Sequence, residues 1–339
     1  MVEVGIRLPQ PHEVQDFSTV AEYAQLAESA GIDQLWFSES YGRNMLVPLV
    51  LSMDRTDSIE FGTAIANVYS RSPALLAMTA GALAELSDGR FTLGIGASGP
   101  AVIENFHGVD FNRPLRRTRE YIEILYAFVD GEQVDYDGDI FDLAGFSLDP
   151  SVDYDVPVFV AAMGETNRQL TGEFADGWLP FLIPVDAIPS AMEAVERGAD
   201  RGERSVDDVT VAPFVITCVS ASDPEATRDI ARKQFSFYVS AMGDYYYNVV
   251  KNHGFETEAD AVRSAWHDGE YEKAREAVTD EILADFTLTG SPGDVEKTLG
   301  RYYDAGVDQP VANVPARYMD DEMIRDTIQA LGDGVAAYR

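Results

Sequence analysis

One junction recurs along this chain. A run with helical spacing ends in Ala-Gly or Asp-Gly, and a β-rich run follows at once. It occurs as AGIDQLWF at 30–37, SDGRFTLGIG at 87–96, ADGWLPFL at 175–182 and DAGVDQPVANVP at 304–315. The glycine suits the left-handed turn that ends a helix. The β-rich runs are too continuously apolar to leave one face in water, which is the pattern of parallel strands covered by helices. Eight candidate strands can be read, at 2–9, 33–40, 59–68, 91–98, 157–163, 177–182, 208–219 and 308–315. In the helical stretch 16–31, Phe17, Val20, Ala21, Ala24 and Ala27 share a face. Asp16 or Ser18 can cap its start, and Gly31 ends it. Eight βα units favour an α/β fold closed as a (β/α)8 TIM barrel over an open sheet. A chain of 339 residues fits one such domain, 1–339, with insertions at about 131–156 and 222–291 that break the rhythm. In a barrel, both insertions belong near the C-terminal face of the strands, where pockets are built.

Charge narrows the partners. With 58 acidic and 25 basic residues, the formal net charge is −33. A surface this negative repels nucleic acid and anionic membranes, so neither is an expected partner. Lysine is scarce, at four against 21 arginines, and the whole balance points to a halophilic protein. In molar salt the Debye length is about 3 Å and carboxylate repulsion is largely screened. Acid-rich chains are often disordered, but 11% aromatic residues and regular apolar periodicity speak against that here. The only cysteine, Cys218, rules out an intrachain disulfide and reads as a core thiol in VAPFVITCVS. No apolar run approaches the about 18 residues of a membrane span. VEVGIRLP does not read as a signal peptide, so the expected location is the cytoplasm.

The strand ends are where a barrel does its chemistry. In order they are Pro9 and Gln10, then Glu39, Ser40 and Tyr41, then 64–67, 96–99, 162–166, 178–181 and Asn313. Small residues, aromatics and uncharged polar groups dominate, and Glu39 is the main acid. No His cluster or CxxC occurs, so no metal site is expected. GxSxG is absent and the cysteine is not at a strand end, which leaves nucleophilic catalysis unsupported. A flat ligand held by backbone groups fits better.

Three segments and several single residues keep two readings each. The small residues of GTAIANV at 62–68 suit either a cramped core or a backbone pressed against a ligand. GIGASG at 94–99 is weak as a dinucleotide fingerprint, because no acid ends a following strand at the proper distance. Close approach to a ligand and tight packing explain its glycines equally well. In AAMGETNRQL at 161–170, Gly164 can turn into a helix whose first N–H groups would take a phosphate. Glu165 opposes this unless its side chain turns away. Arg43, Arg71 and Arg168 are candidate partners for an anionic cofactor, although each taken alone reads first as a surface charge. His12, His107, His253 and His267 read as structural or solvated. Tyr245, Tyr246 and Tyr247 form either a lid or a helix packing its aromatics inward or on a second subunit.

Four segments together carry a resemblance: RSPALLAMTAGALAELSDGRFTLGIGASGP, AEYAQLAESAGIDQLWFSESYGR, GETNRQLTGEFADGWLPFL and LTGSPGDVEKTLGRYYDAGVD. They resemble the luciferase-like monooxygenase superfamily over nearly the whole chain, most specifically in LSDGRFTLGIGA. Within it the chain is most similar to the coenzyme F420-dependent branch that includes methylenetetrahydromethanopterin reductase. The resemblance implies a TIM barrel with coenzyme F420 at the C-terminal face, FMN being the alternative. It implies a non-prolyl cis peptide at Ala64–Ile65, followed by Ala66 and Asn67, backing the deazaflavin ring. It assigns Ser40, Ala97, Ser98, Met163, Gly164, Glu165 and Thr166 to the cofactor as well, with Trp178 beside the pocket. The chain departs from the family at three points. Glu39 and Ser40 stand where relatives often have an acid followed by His. Arg7 replaces an acid of the reductases, and Pro100 replaces a Glu of other F420 enzymes. Of the groups that remain, Glu39 is the candidate proton donor and Tyr41 the second. The implied reaction is hydride transfer between the deazaflavin C5 and a small substrate, such as a C1-carrying pterin or folate, an alcohol or an enone. An FMN-dependent monooxygenase and a non-catalytic cofactor-binding protein are the alternatives. A homodimer is expected by the same resemblance.

Overall fold

The computed structural model describes residues 2–9, 13 and 16–339. Gln10 and His12, singled out above, lie outside the described residues. The chain forms two compact units. One comprises Gln34–Leu179 and Ala191–Thr210, the other Met1–Asp33, Pro180–Ser190 and Val211–Arg339.

In the first unit the parallel strands Gln34–Phe37, Glu60–Thr63, Phe91–Gly96, Val158–Val160 and Gly177–Trp178 lie side by side in that order. Almost every strand residue is buried, so the runs show no alternation of apolar and polar residues. The short strand Ala66–Asn67 pairs with Phe91–Gly96. Helix Pro73–Leu86 begins where the Ser72 side chain accepts from the Leu75 amide, with proline in its first turn. Across helices Leu46–Met53 and Pro73–Leu86 one side chain, Glu85, is charged. Their outward positions carry Val47, Val50, Leu75, Met78 and Leu86, each 39–57% exposed. The strands Val134–Asp137 and Asp142–Phe146 form an antiparallel hairpin after helix Pro114–Val129.

The second unit holds the parallel order Gly5–Arg7, Val311–Asn313, Phe214–Val219, Thr287–Gly290. Helix Phe17–Ala30 is capped by Asp16, which accepts from Thr19 N, and ends at Gly31 with φ +84°; Ser18 plays no such part. The expected strand at 208–219 is broken into Thr210–Val211 and Phe214–Val219. Pro213 lies in the gap, where it has no N–H to give a ladder. The segment 222–291 contains five helices: Pro224–Ala241, Asp244–Asn252, Glu256–His267, Tyr271–Glu276 and Asp280–Phe286. They bury Phe235, Val239, Val250, Val262, Ile282 and Phe286 together. Tyr246 packs edge-on against Phe181 and Tyr238, which favours the packing reading of the Tyr triplet. The segment ends in the strand Thr287–Gly290, which the sequence did not suggest. Burial pushes the Cys218 thiol up to about 12, so it is no nucleophile near neutral pH. Among the described residues no helix is long and apolar enough to cross a membrane.

Candidate functional site

The first unit gathers the candidate residues at the C-terminal ends of its parallel strands. Strand Gln34–Phe37 leads into Ser38, Glu39, Ser40 and Tyr41. Strand Glu60–Thr63 leads into the Ala64–Ile65 bond, which is cis. The Ala64 amide donates to the Phe37 carbonyl at 2.7 Å, which ties these two ends together. Phe91–Gly96 leads into Ala97, Ser98 and Gly99. Val158–Val160 leads into Met163, Gly164 and helix Glu165–Phe174. Glu39, Ser40, Ala64, Ile65, Ala97, Ser98 and Met163 are half-buried, while Gly164, Glu165 and Thr166 are exposed.

The glycines of 94–99 divide between the two readings. A Cβ at Gly94 would lie 1.8 Å from the Thr63 carbonyl oxygen. The Thr63 hydroxyl donates to the Gly94 carbonyl at 2.8 Å and accepts from the Gly94 amide at 3.0 Å. Gly94 is there for strand packing. Gly96 backs the cis segment, since its Cβ would meet Ile65 Cγ1 at 3.3 Å. Gly99 and Gly164 face open space, with nothing within 4 Å of a Cβ. Ser98, just before Gly99, is held at φ +60°, a left-handed conformation uncommon for residues other than Gly, Asn or Asp.

Helix Glu165–Phe174 starts at Gly164 with no side-chain cap, so its first amides point outward unanswered. Two buried polar atoms in this first turn, Asn167 Oδ1 and Arg168 Nε, have no hydrogen-bond partner. Glu165 is turned aside: its carboxylate pairs with Arg197 Nη2 at 2.7 Å. The objection that this carboxylate would repel an anion at the helix start is thereby removed. Open space at two glycines, an uncapped helix N-terminus and an unanswered guanidinium N–H fit a flat ligand with an anionic arm. Among the described residues no group of three or more His, Cys, Asp or Glu could hold a metal ion.

Glu39 is engaged on both oxygens. Arg71 Nη1 donates to Oε2 at 2.6 Å and Nη2 to Oε1 at 2.7 Å, and Asn67 Nδ2 adds a bond to Oε2 at 3.3 Å. The bond to Glu39 is the largest cause of a raised Arg71 pKa. The pair is 12% exposed on either side, so Arg71 is no surface charge. The Tyr121 hydroxyl donates to the Arg71 carbonyl. Tyr41, at the same strand end, is 51% exposed, and its amide donates to the Ser40 hydroxyl at 2.6 Å.

Three of the expected contact residues have enclosed side chains. Trp178 has 0% exposed surface and its Nε1 donates to the Ala162 carbonyl at 2.5 Å. It ties the ends of strands Val158–Val160 and Gly177–Trp178 together from within the core. Asn67 is enclosed: its Oδ1 accepts from the Tyr69 and Ser70 amides, which shapes the turn, and its Nδ2 goes to Glu39. Ala66 is also fully enclosed. The side chains that order Glu39, namely Arg71, Asn67 and Tyr121, carried no sequence signal of that role.

Comparison with solved structures shows the fold. The coenzyme F420-dependent tetrahydromethanopterin reductase of Methanopyrus kandleri superposes with a TM-score of 0.86 at 24% identity, covering 99% of both chains. The shared fold is the α/β, TIM-barrel-like one. The luciferase-like monooxygenase family matches residues 2–309, and the chain belongs to it. The 5,10-methylenetetrahydromethanopterin reductase of Archaeoglobus fulgidus is 31% identical over 299 residues, or 86% of this chain and 88% of that one. A putative coenzyme F420-dependent oxidoreductase of Mycobacterium tuberculosis is 30% identical over 345 residues, or 95% and 94%.

Proposed function

We propose that this chain is a coenzyme F420-dependent oxidoreductase acting on a small organic substrate. The observation that carries the reading is the helix start at Gly164. It has no side-chain cap and faces open space, Arg168 of the same turn has a buried Nε without a partner, and Glu165 is drawn off by Arg197. Gly164, Thr166 and Arg168 would hold the anionic end of the cofactor. Ala64, Ile65, Ala97, Ser98 and Met163 would line its flat part, and Gly96 leaves room behind the cis segment. When bound, F420 supplies hydride exchange at the deazaflavin C5. The protein supplies binding, orientation and a proton. Glu39, with both oxygens accepting from Arg71, serves to fix the strand end. Tyr41, half exposed beside it, is the better-placed proton donor. The names of the reductase relatives favour a C1-carrying pterin or folate as substrate, with an alcohol or enone as the other class. The reading includes the cytoplasmic location, halophilic setting, single barrel domain and homodimer expected from the sequence and its family.

The family description supports a second reading, an FMN-dependent monooxygenase. Calorimetric titration with F420 and with FMN in molar KCl separates the two. Saturable F420 binding, followed by anaerobic hydride transfer to a panel of substrates, is the expected result. Preference for FMN would move the protein to the monooxygenases. Tight F420 binding with no turnover would make it a cofactor-binding protein.

A further inference from the structure

The turn of the hairpin at 134–146 is fixed by a buried carboxylate. Glu120, 1% exposed on helix Pro114–Val129, accepts the Asp139 amide on Oε1 at 2.9 Å. Its Oε2 accepts the amides of Ile140 and Phe141, each at 3.0 Å. Arg116 Nε pairs with the same carboxylate at 3.0 Å. The side chain carried by this turn, Phe141, meets two neighbours of Glu120 on the helix. Its ring lies edge-on to Tyr121 with centroids 5.3 Å apart, and the Arg117 guanidinium sits 5.2 Å from its centroid.

Two routes run from Phe141 to Glu39. In the first, the buried Tyr121 hydroxyl donates to the Arg71 carbonyl, and the Arg71 guanidinium holds both Glu39 oxygens. In the second, Arg117 lies over the Tyr69 ring at 4.6 Å. The Tyr69 amide donates to Asn67 Oδ1 at 3.1 Å, and Asn67 Nδ2 donates to Glu39. Both routes begin at the turn that Glu120 holds, and both end on one carboxylate at the candidate site.

We propose that Glu120 is a positioning residue for the Glu39–Arg71 pair, acting through the hairpin turn. The inference rests on the functional reading above, because it gives that pair a role in ordering the cofactor end of the unit. Three backbone donors converge on Glu120, so only a group with acceptors on both arms answers them all. A glutamine of the same shape offers one oxygen and turns an NH2 toward a donor.

The test is Glu120→Gln, read in molar KCl by amide hydrogen exchange and by F420 titration. Exchange should quicken at 139–141 and also at Tyr69 and Ser70, whose amides Asn67 holds. F420 binding should weaken about tenfold, within the range of coupled contacts. In a Glu39→Ala background the same change should cost less than about twofold, because the route then ends on no acceptor. Phe141→Leu, which unburies no charge, should repeat the pattern and replaces Glu120→Gln if that variant does not fold. Faster exchange confined to 139–141, or affinity losses that simply add, would overturn the proposal and leave Glu120 a local staple. If the wild type binds no F420, the proposed function fails. The exchange at Tyr69 and Ser70 then decides the positioning role alone.

Discussion

Gly94 and Gly99 belong to one short glycine-rich run, and the two require opposite explanations. Gly94→Ala drives a methyl into the Thr63 carbonyl, a backbone atom that cannot swing away. Such overpacking should cost about 3 kcal/mol, seen as a lower melting midpoint in molar KCl. Gly99→Ala meets no atom within 4 Å and should melt like the wild type. If that space belongs to the cofactor, the same variant should bind F420 several-fold more weakly. Unchanged affinity would remove Gly99 from the site. A second pair separates charge from position at the helix start. Arg168→Met should weaken F420 binding by about tenfold, as loss of a charge-assisted hydrogen bond does. Glu165→Gln should leave it nearly unchanged, since Arg197 already draws that carboxylate aside. Equal effects from both would mean that the anionic arm lies elsewhere.

At the scale of elements, helix Pro292–Asp304 shows how a cap links to pH. Asp294 accepts from the Ser291 amide at 2.9 Å and from its hydroxyl at 2.8 Å. Those bonds, the backbone one first, hold its carboxyl below the ordinary aspartate value. A lowered pKa stabilises the fold above the ordinary value and loses that contribution as pH falls through the lowered one. Asp294→Asn should therefore cost about 1 kcal/mol at neutral pH. The gap from wild type should close as pH falls below about 4. A gap that persists in acid would show that the charge is not the cause. Elements with local punctuation were legible in the sequence: Asp16 and Gly31 bracket one helix, and Ser72 with Pro73 opens another. Thr287–Gly290 had no such mark. Its strand character comes from pairing with Phe214–Val219, where Ile216 faces Thr287, a tertiary fact. The strand ends were legible because small residues and polar groups collect there. Which way a side chain turns was not, and so the enclosure of Trp178 was not foreseen. Glu39 and Arg71 were each legible as candidates, but not as partners of each other, because they stand 32 residues apart in the chain.

For the whole molecule, a net charge of −33 predicts that salt supports the fold. The melting midpoint should rise steadily from dilute buffer to molar KCl as repulsion is screened. A flat or falling curve would refute the halophilic reading. The helices Leu46–Met53 and Pro73–Leu86 stand apart from this surface, carrying Glu85 as their one charge. In a two-fold contact one patch is used by both copies, so an acidic patch would face another acidic patch. A charge-free face is therefore what a second copy of so acidic a chain would need, and it suits the expected homodimer. Leu75→Glu with Met78→Glu should shift the species seen by light scattering in molar KCl toward the monomer. No shift would place any pairing on another face. The same helices bear on handling at the bench. In dilute buffer the carboxylates should bind the protein to an anion exchanger. In concentrated salt, exposed Leu75, Met78 and Leu86 should hold any unpaired chain on a phenyl resin, so that one preparation separates by assembly state as the salt is stepped down.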